Sequence, residues 1–137
     1  MRGKWIVGLL VVSGMAVSWG CHRGPVTSSV HGEITLDGKP IDGGQITFVP
    51  AGAGAVPAQA TIEGGKYEIK AAKGPSVGKC KIEVRWSKKT GRKIQAPPAG
   101  EVEETRQIIP AAYNDKSTLS FEIKPGDNVY SSDLKSK

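Results

Sequence analysis

From Lys79 to Trp86 the chain alternates without a break, with Cys80, Ile82, Val84 and Trp86 at one parity and Lys79, Lys81, Glu83 and Arg85 at the other. Successive side chains of a strand point to opposite faces, so this octet predicts a strand with one dry and one wet side, and no 3.6-residue period fits it. The same period of two recurs elsewhere. Val30, Gly32, Ile34 and Leu36 alternate with His31, Glu33 and Thr35 until Asp37-Gly38-Lys39-Pro40 breaks the run. Ile46 and Phe48 alternate with Gln45, Thr47 and Val49 up to Pro50, and the glycine and alanine stretch 51–55 reads as a loop. Leu119, Phe121 and Ile123 alternate with Ser120, Glu122 and Lys124 before a Pro125-Gly126-Asp127-Asn128 turn. Shorter runs predict strands at about 57–63, at Tyr67 and Ile69, and a final one marked by Tyr130 and Leu134.

Between the third and fourth of these strands stands Glu63-Gly64-Gly65-Lys66. A type I′ hairpin turn needs positive φ at both central positions, which glycine alone adopts at no steric cost, so a tight hairpin is expected here. Eighteen glycines and nine prolines in 137 residues make such punctuation frequent, and with only 6% aromatics the core must be aliphatic. A helical bundle is thereby excluded, and the length allows one domain rather than a multidomain enzyme. The fold expected is an all-β, antiparallel, Ig-like β-sandwich of seven or eight short strands over residues 30–134, with 135–137 as a tail. Ser87 to Gln107 is the exception to the pattern: it loses periodicity, carries Pro97-Pro98, and reads as a long exposed loop with a short strand near 105–109.

The first twenty residues obey different rules. Met1-Arg2-Gly3-Lys4 is a basic start, and Trp5 to Gly20 runs for sixteen residues without a charge, ending in small residues before Cys21. That is the pattern of a secretory signal peptide, residues 1–20; a spanning helix needs about twenty apolar residues, and this run contains Gly8, Ser13, Gly14, Ser18 and Gly20. Ser18-Trp19-Gly20-Cys21 resembles a bacterial lipobox, in which the cysteine is lipidated on sulfur and becomes the new amino terminus, although Ser18 and Trp19 stand where a branched apolar and a small residue are usual. Ordinary signal peptidase would accept Ser18 and Gly20 and cut at the same bond. The lipoprotein is the favoured reading, with residues 21–29 as anchor and tether and the membrane as a partner. The alternative is a soluble secreted domain. Removing residues 1–20 leaves seventeen basic against thirteen acidic residues, a formal +4. Cys21 and Cys80 are not expected to form a disulfide, since one lies at a terminus and the other on the dry face of a strand.

Val30-His31-Gly32-Glu33-Ile34-Thr35-Leu36-Asp37-Gly38-Lys39-Pro40-Ile41, followed by Gly44 and Ile46-Thr47-Phe48-Val49-Pro50, resembles the opening of carboxypeptidase regulatory-like domains. With Gly65-Lys66-Tyr67 and Ile109-Pro110-Ala111-Ala112-Tyr113-Asn114, the chain is more closely similar to small secreted lipoproteins of planctomycete bacteria. The resemblance covers most of 30–134. It implies a transthyretin-like sandwich and an accessory, non-enzymatic role, and it assigns no ligand. Two departures stand out. Cys80 occupies a position where the family usually carries an aromatic, so a locally smaller or repacked core is expected there. Transthyretin-like hydrolases of the urate pathway end in Tyr-Arg-Gly-Ser, whereas this chain ends Ser131-Ser132-Asp133-Leu134-Lys135-Ser136-Lys137, so that activity is not implied.

The residues themselves offer little chemistry. No Ser-His-Asp or Cys-His set, catalytic carboxylate pair, phosphate loop or metal cluster can be assembled, so neither an enzyme, a cofactor nor a metal is expected. Cys80 reads as a buried structural cysteine, His31 as a polar strand residue that would need His22 to begin a metal site, and Asp37, Asp42, Asp115 and Asp127 as turn residues. Tyr113 is expected to fold back on the sandwich with its hydroxyl bonded to backbone. Lys88, Lys89, Arg92 and Lys93 form a basic run facing Glu101, Glu103 and Glu104 across the Pro-Pro break. The bland reading is a solvated loop whose charges partly pair with each other; the sharper one is a partner-binding loop for an envelope protein or anionic surface. Nucleic acid is not an expected partner, because export, a modest charge and the lack of interleaved aromatics all argue against it.

Overall fold

The computed structural model describes residues 24–137; the expected signal peptide, Cys21 and His22 lie outside the described residues. Eleven strands follow in order: β1 (Ser29–Leu36), β2 (Lys39–Pro40), β3 (Gln45–Pro50), β4 (Ala58–Thr61), β5 (Lys66–Ile69), β6 (Gly78–Arg85), β7 (Ser87–Gln95), β8 (Glu101–Gln107), β9 (Ser120–Ile123), β10 (Asp127–Val129) and β11 (Ser132–Leu134). Single 3-10 turns stand at Ala71–Lys73 and Ala111–Tyr113. The chain is an all-β sandwich, as its alternation predicts.

One layer is built on β1, which has an antiparallel partner on one side and a parallel one on the other along its length: β5 and β10 flank its first half, β2 and β11 its second. The other layer is the antiparallel sheet β4-β3-β6-β9. Between them lie Val30 and Ile34 from β1, Ile46 and Phe48 from β3, Cys80, Ile82 and Val84 from β6, and Ile123 and Leu134, all buried. The dry face expected for β6 is therefore the real one as far as Val84. Trp86 continues it only in part: β6 ends at Arg85, and the half-buried indole packs against the edge of the core and the Gly43-Gly44 turn.

The Gly64-Gly65 turn is as predicted, with φ of 56° and 81° and reciprocal backbone hydrogen bonds between Glu63 and Lys66. Three features differ from the sequence expectation. The strand count is eleven. The terminal strand marked by Tyr130 and Leu134 is two short strands, both parallel to β1. And Ser87–Gln107 is a two-stranded antiparallel hairpin, not a loop with a short strand near 105–109.

The split of the terminal strand adds one to the count and has its cause in β1; β2 and β7 account for the rest. Between β10 and β11 the chain kinks inward at Tyr130-Ser131, above Gly32. A side chain at Gly32 would place its Cβ 1.8 Å from the Tyr130 carbonyl oxygen, so only glycine fits beneath the kink. Where the ladder is interrupted, the Ser131 hydroxyl accepts the Glu33 N–H at 3.0 Å, keeping the backbone donor satisfied. The Tyr130 ring turns into the core region, edge-on to Phe48 with centroids 6.0 Å apart and 5.1 Å from Phe121. Phe121 is also the cross-strand partner of Cys80.

Candidate functional site

β7 and β8 form a sheet of their own, with contacts to each other and few to the layers of the sandwich. Nine residues of strand extend about 30 Å, so the hairpin is an arm. It is held at its base by Trp86, whose N–H donates to Gln107 Oε1 at 2.7 Å and whose carbonyl accepts the Ile108 N–H at 2.7 Å.

The arm lacks the apolar alternation of the other strands because neither face is buried; every residue of β7 is exposed. Cross-strand charge takes its place. Lys89 Nζ lies 2.8 Å from Glu103 Oε2, Lys93 Nζ 3.4 Å from Glu101 Oε2, and Arg92 Nη1 4.0 Å from Glu104 Oε2. The hydrogen bond that Lys89 donates to Glu103 raises the lysine pKa above its ordinary value. Lys88, the fourth member of the basic run, stands 4.2 Å above the Trp86 ring in a cation–π contact. A register shift between Lys89 and Lys93 is occupied by Thr90, whose hydroxyl donates to Glu104 Oε2 at 2.8 Å. The expected basic loop and acidic run are thus brought together. The basic run is not a bare patch, since three of its four cations already face a carboxylate and a partner must compete with Glu101, Glu103 and Glu104.

A second surface lies on the outside of β1 and β5, an open groove of about 960 Å³. His31, Glu33, Glu63, Lys66, Glu68 and Asp127 line it. The carboxylates come together through register: Glu33 lies opposite Lys66, and His31 opposite Glu68. His31 Nδ1 lies 3.3 Å from Asp127 Oδ1, which also accepts the Ser29 hydroxyl at 2.8 Å. The Ser29 hydrogen bond, aided by the charge of His31, lowers the Asp127 pKa. Sequence reading did not find this groove. The local signal was the hairpin at Gly64-Gly65, but the pairing of β5 with β1 is non-local.

Among the described residues no group of three His, Cys, Asp or Glu side chains is placed to hold a metal ion. Cys80 is fully buried, its thiol pKa raised by burial and its sulfur near only the Ser76 and Gly78 carbonyls, which is no setting for a nucleophile. Tyr113 does fold back, its hydroxyl accepting the Lys135 N–H at 3.1 Å. Beside it, Asn114 is buried and donates to the Ile109 and Pro110 carbonyls at 3.2 and 3.1 Å, a structural role not read from the sequence. Of the turn aspartates, Asp37 Oδ1 accepts the Ser136 N–H at 3.1 Å, and Asp115 accepts from Arg85 at 2.7 Å.

Compared with known proteins, the chain matches no family model, no curated protein and no solved structure. Among the described residues, no helix is long and apolar enough to cross a membrane.

Proposed function

We propose that this chain is an exported lipoprotein, held to the membrane through lipidated Cys21, whose β-sandwich acts as a non-enzymatic interaction or structural domain of the cell envelope. The observation that carries the reading is positional. The apolar run from Trp5 ends directly at Cys21, and the sandwich begins to pair at Thr27, six residues later. A cysteine on so short a tether is where an acyl anchor belongs. The resemblance of residues 30–134 to planctomycete lipoproteins with carboxypeptidase regulatory-like domains supports the same assignment. On this reading the hairpin arm, carrying Lys88, Lys89, Arg92 and Lys93, is the contact element for an envelope partner.

The alternative, a soluble secreted module that binds a ligand, is favoured by the groove beside β1, which gives such a ligand a place. Membrane fractionation combined with mass spectrometry of the mature N-terminal peptide separates the two. Lipidated Cys21 in the membrane fraction, lost together with membrane retention in Cys21→Ser, is the expected result, because serine cannot form the thioether. Unchanged membrane retention of that variant would overturn the proposal. Two or more acyl chains hold a protein firmly, whereas a single one binds only marginally.

A further inference from the structure

The end of the sandwich where the described chain begins is apolar and exposed. Pro25, Val26, Ala53, Ala55, Val77 and Pro125 line one shallow depression there. Val26 is 62% exposed, Val56 40% and Val77 37%. The other exposed large apolar side chains, Ile94, Ile108 and Val129, lie on separate elements, whereas Val26, Val56 and Val77 come from segments joined by backbone hydrogen bonds and form a patch rather than scatter.

The patch is held in place by backbone hydrogen bonds. The Val77 N–H donates to the Val26 carbonyl at 2.9 Å, the Ser76 N–H to the Val56 carbonyl at 3.0 Å, and the Ser28 N–H to the Pro75 carbonyl at 3.2 Å. The Ser76 hydroxyl accepts the Val56 N–H at 2.8 Å. Segments 25–28, 51–56 and 75–77 are thus one surface, and it does not rearrange freely.

Two further facts say what covers it. Cys21 precedes Gly24 by three residues, a reach of at most about 11 Å, comparable to the headgroup layer of one bilayer leaflet. The surface is also bordered in sequence by exposed Lys79 and Lys124, within two residues of Val77 and Pro125, and exposed Lys73 lies three residues before Ser76. By the same measure of sequence, the acidic neighbours are Glu122, opposite Lys79 across β6 and β9, and Asp127, engaged by Ser29 and His31.

We propose that this end of the sandwich is a membrane-seating surface: its valines and prolines rest in the headgroup region beside the anchor, and its lysines meet anionic phospholipid. Apolar side chains within a basic border are what an interfacial contact requires. The inference rests on lipidation of Cys21. It fixes the orientation of the domain, with the patch against the bilayer.

Hydrogen exchange of the full-length processed protein tests this, comparing vesicles of phosphatidylcholine and phosphatidylglycerol with detergent solution. Peptides covering 24–28, 52–57 and 76–78 are expected to exchange about tenfold more slowly on vesicles, with 87–107 unchanged. A Val26→Asp/Val77→Asp variant, lipidated and of unchanged melting temperature, is expected to lose that protection. Lipidated Cys21 with no protection of the patch would overturn the seating surface and leave the anchor standing. An unmodified Cys21 would remove both. Protection in native membranes but not on protein-free vesicles would mean that a protein covers the patch, and would overturn the proposal.

Discussion

The Tyr67 hydroxyl donates to the main-chain carbonyl of Tyr130 at 2.7 Å, tying β5 to the kink between β10 and β11 across the glycine at position 32. Tyr67 is the cross-strand partner of Gly32, whose side-chain space is taken by the Tyr130 carbonyl itself. The phenol thereby satisfies the carbonyl that only a glycine lets come so close.

Tyr67→Phe is expected to cost about 1–2 kcal/mol in urea unfolding, because the ring stays and the carbonyl loses a donor. Gly32→Ala is expected to cost about 3 kcal/mol or more, since nothing but backbone can yield to the new methyl. Burial also raises the Tyr67 pKa well above its ordinary value. The folded state therefore keeps a proton that the unfolded chain releases near pH 10, so this contribution is complete below about pH 10 and declines above it. The Phe variant should show a shallower loss of stability at alkaline pH; an equally steep loss would mean that other groups govern it.

Ile82 is buried in the centre of β6, Trp86 is half-buried beyond its end, and Lys81 is exposed and pairs with Glu83 at 2.6 Å. Truncation to alanine is expected to cost about 2–5 kcal/mol at Ile82, about 1–3 at Trp86 and within about 0.5 at Lys81. Equal urea midpoints for the Ile82 and Lys81 variants would mean that the strand faces are reversed.

Replacing Lys88, Lys89, Arg92 and Lys93 by glutamine removes the cationic half of the arm's cross-strand pairs. Because the arm contributes little to the core, the melting temperature of the sandwich is expected to stay nearly constant while amide exchange within 87–107 accelerates. On the proposed function, association with an anionic envelope partner should weaken, and added salt should mimic the substitution, since exposed charges are screened over about 8–10 Å. Salt-independent association would exclude the basic run as the contact.

Asp133 accepts from Lys135, from the Thr35 hydroxyl at 2.7 Å and from the Gly38 N–H at 2.8 Å, and these bonds, the one from Lys135 foremost, lower its pKa from 3.8 to about 2. A carboxylate with a depressed folded pKa stabilises above its unfolded pKa, and the contribution is lost as pH falls from 3.8 through about 2. Asp133→Asn should therefore melt lower than the parent at pH 6, with the difference shrinking toward pH 2. A constant gap would assign the effect to packing.

The strands that face the core were legible because burial writes its alternation into the sequence; β1, β3, β6 and β9 each carry it, and the Gly64-Gly65 turn follows from backbone sterics alone. The arm was not legible for the same reason inverted. With both faces wet, β7 and β8 show no apolar contrast, and their pairing depends on charges eight to fourteen residues apart whose register a bulge then shifts. The kink at Tyr130-Ser131 was hidden because its cause, Gly32, is a hundred residues away in the chain. The basic residues of the arm were found from sequence. The carboxylates that meet them were found too, but their pairing geometry was not. The groove beside β1 was missed because it exists only after β5 and β10 have joined the same strand.

The wiring of β1 also sets how the core closes. Ser29 pairs with Asp127 and Leu36 with Leu134, so β1 receives one side of its hydrogen bonds from residues 98 positions further along the chain. Until those residues are available, β1 presents an open edge and the core lacks Leu134 and the Tyr130 ring. The residues that complete β1 are thus the ones that complete the core, and holding 127–134 apart from 29–36 leaves both a sheet edge and the core open. For the exported protein proposed above, that is a state still able to be threaded.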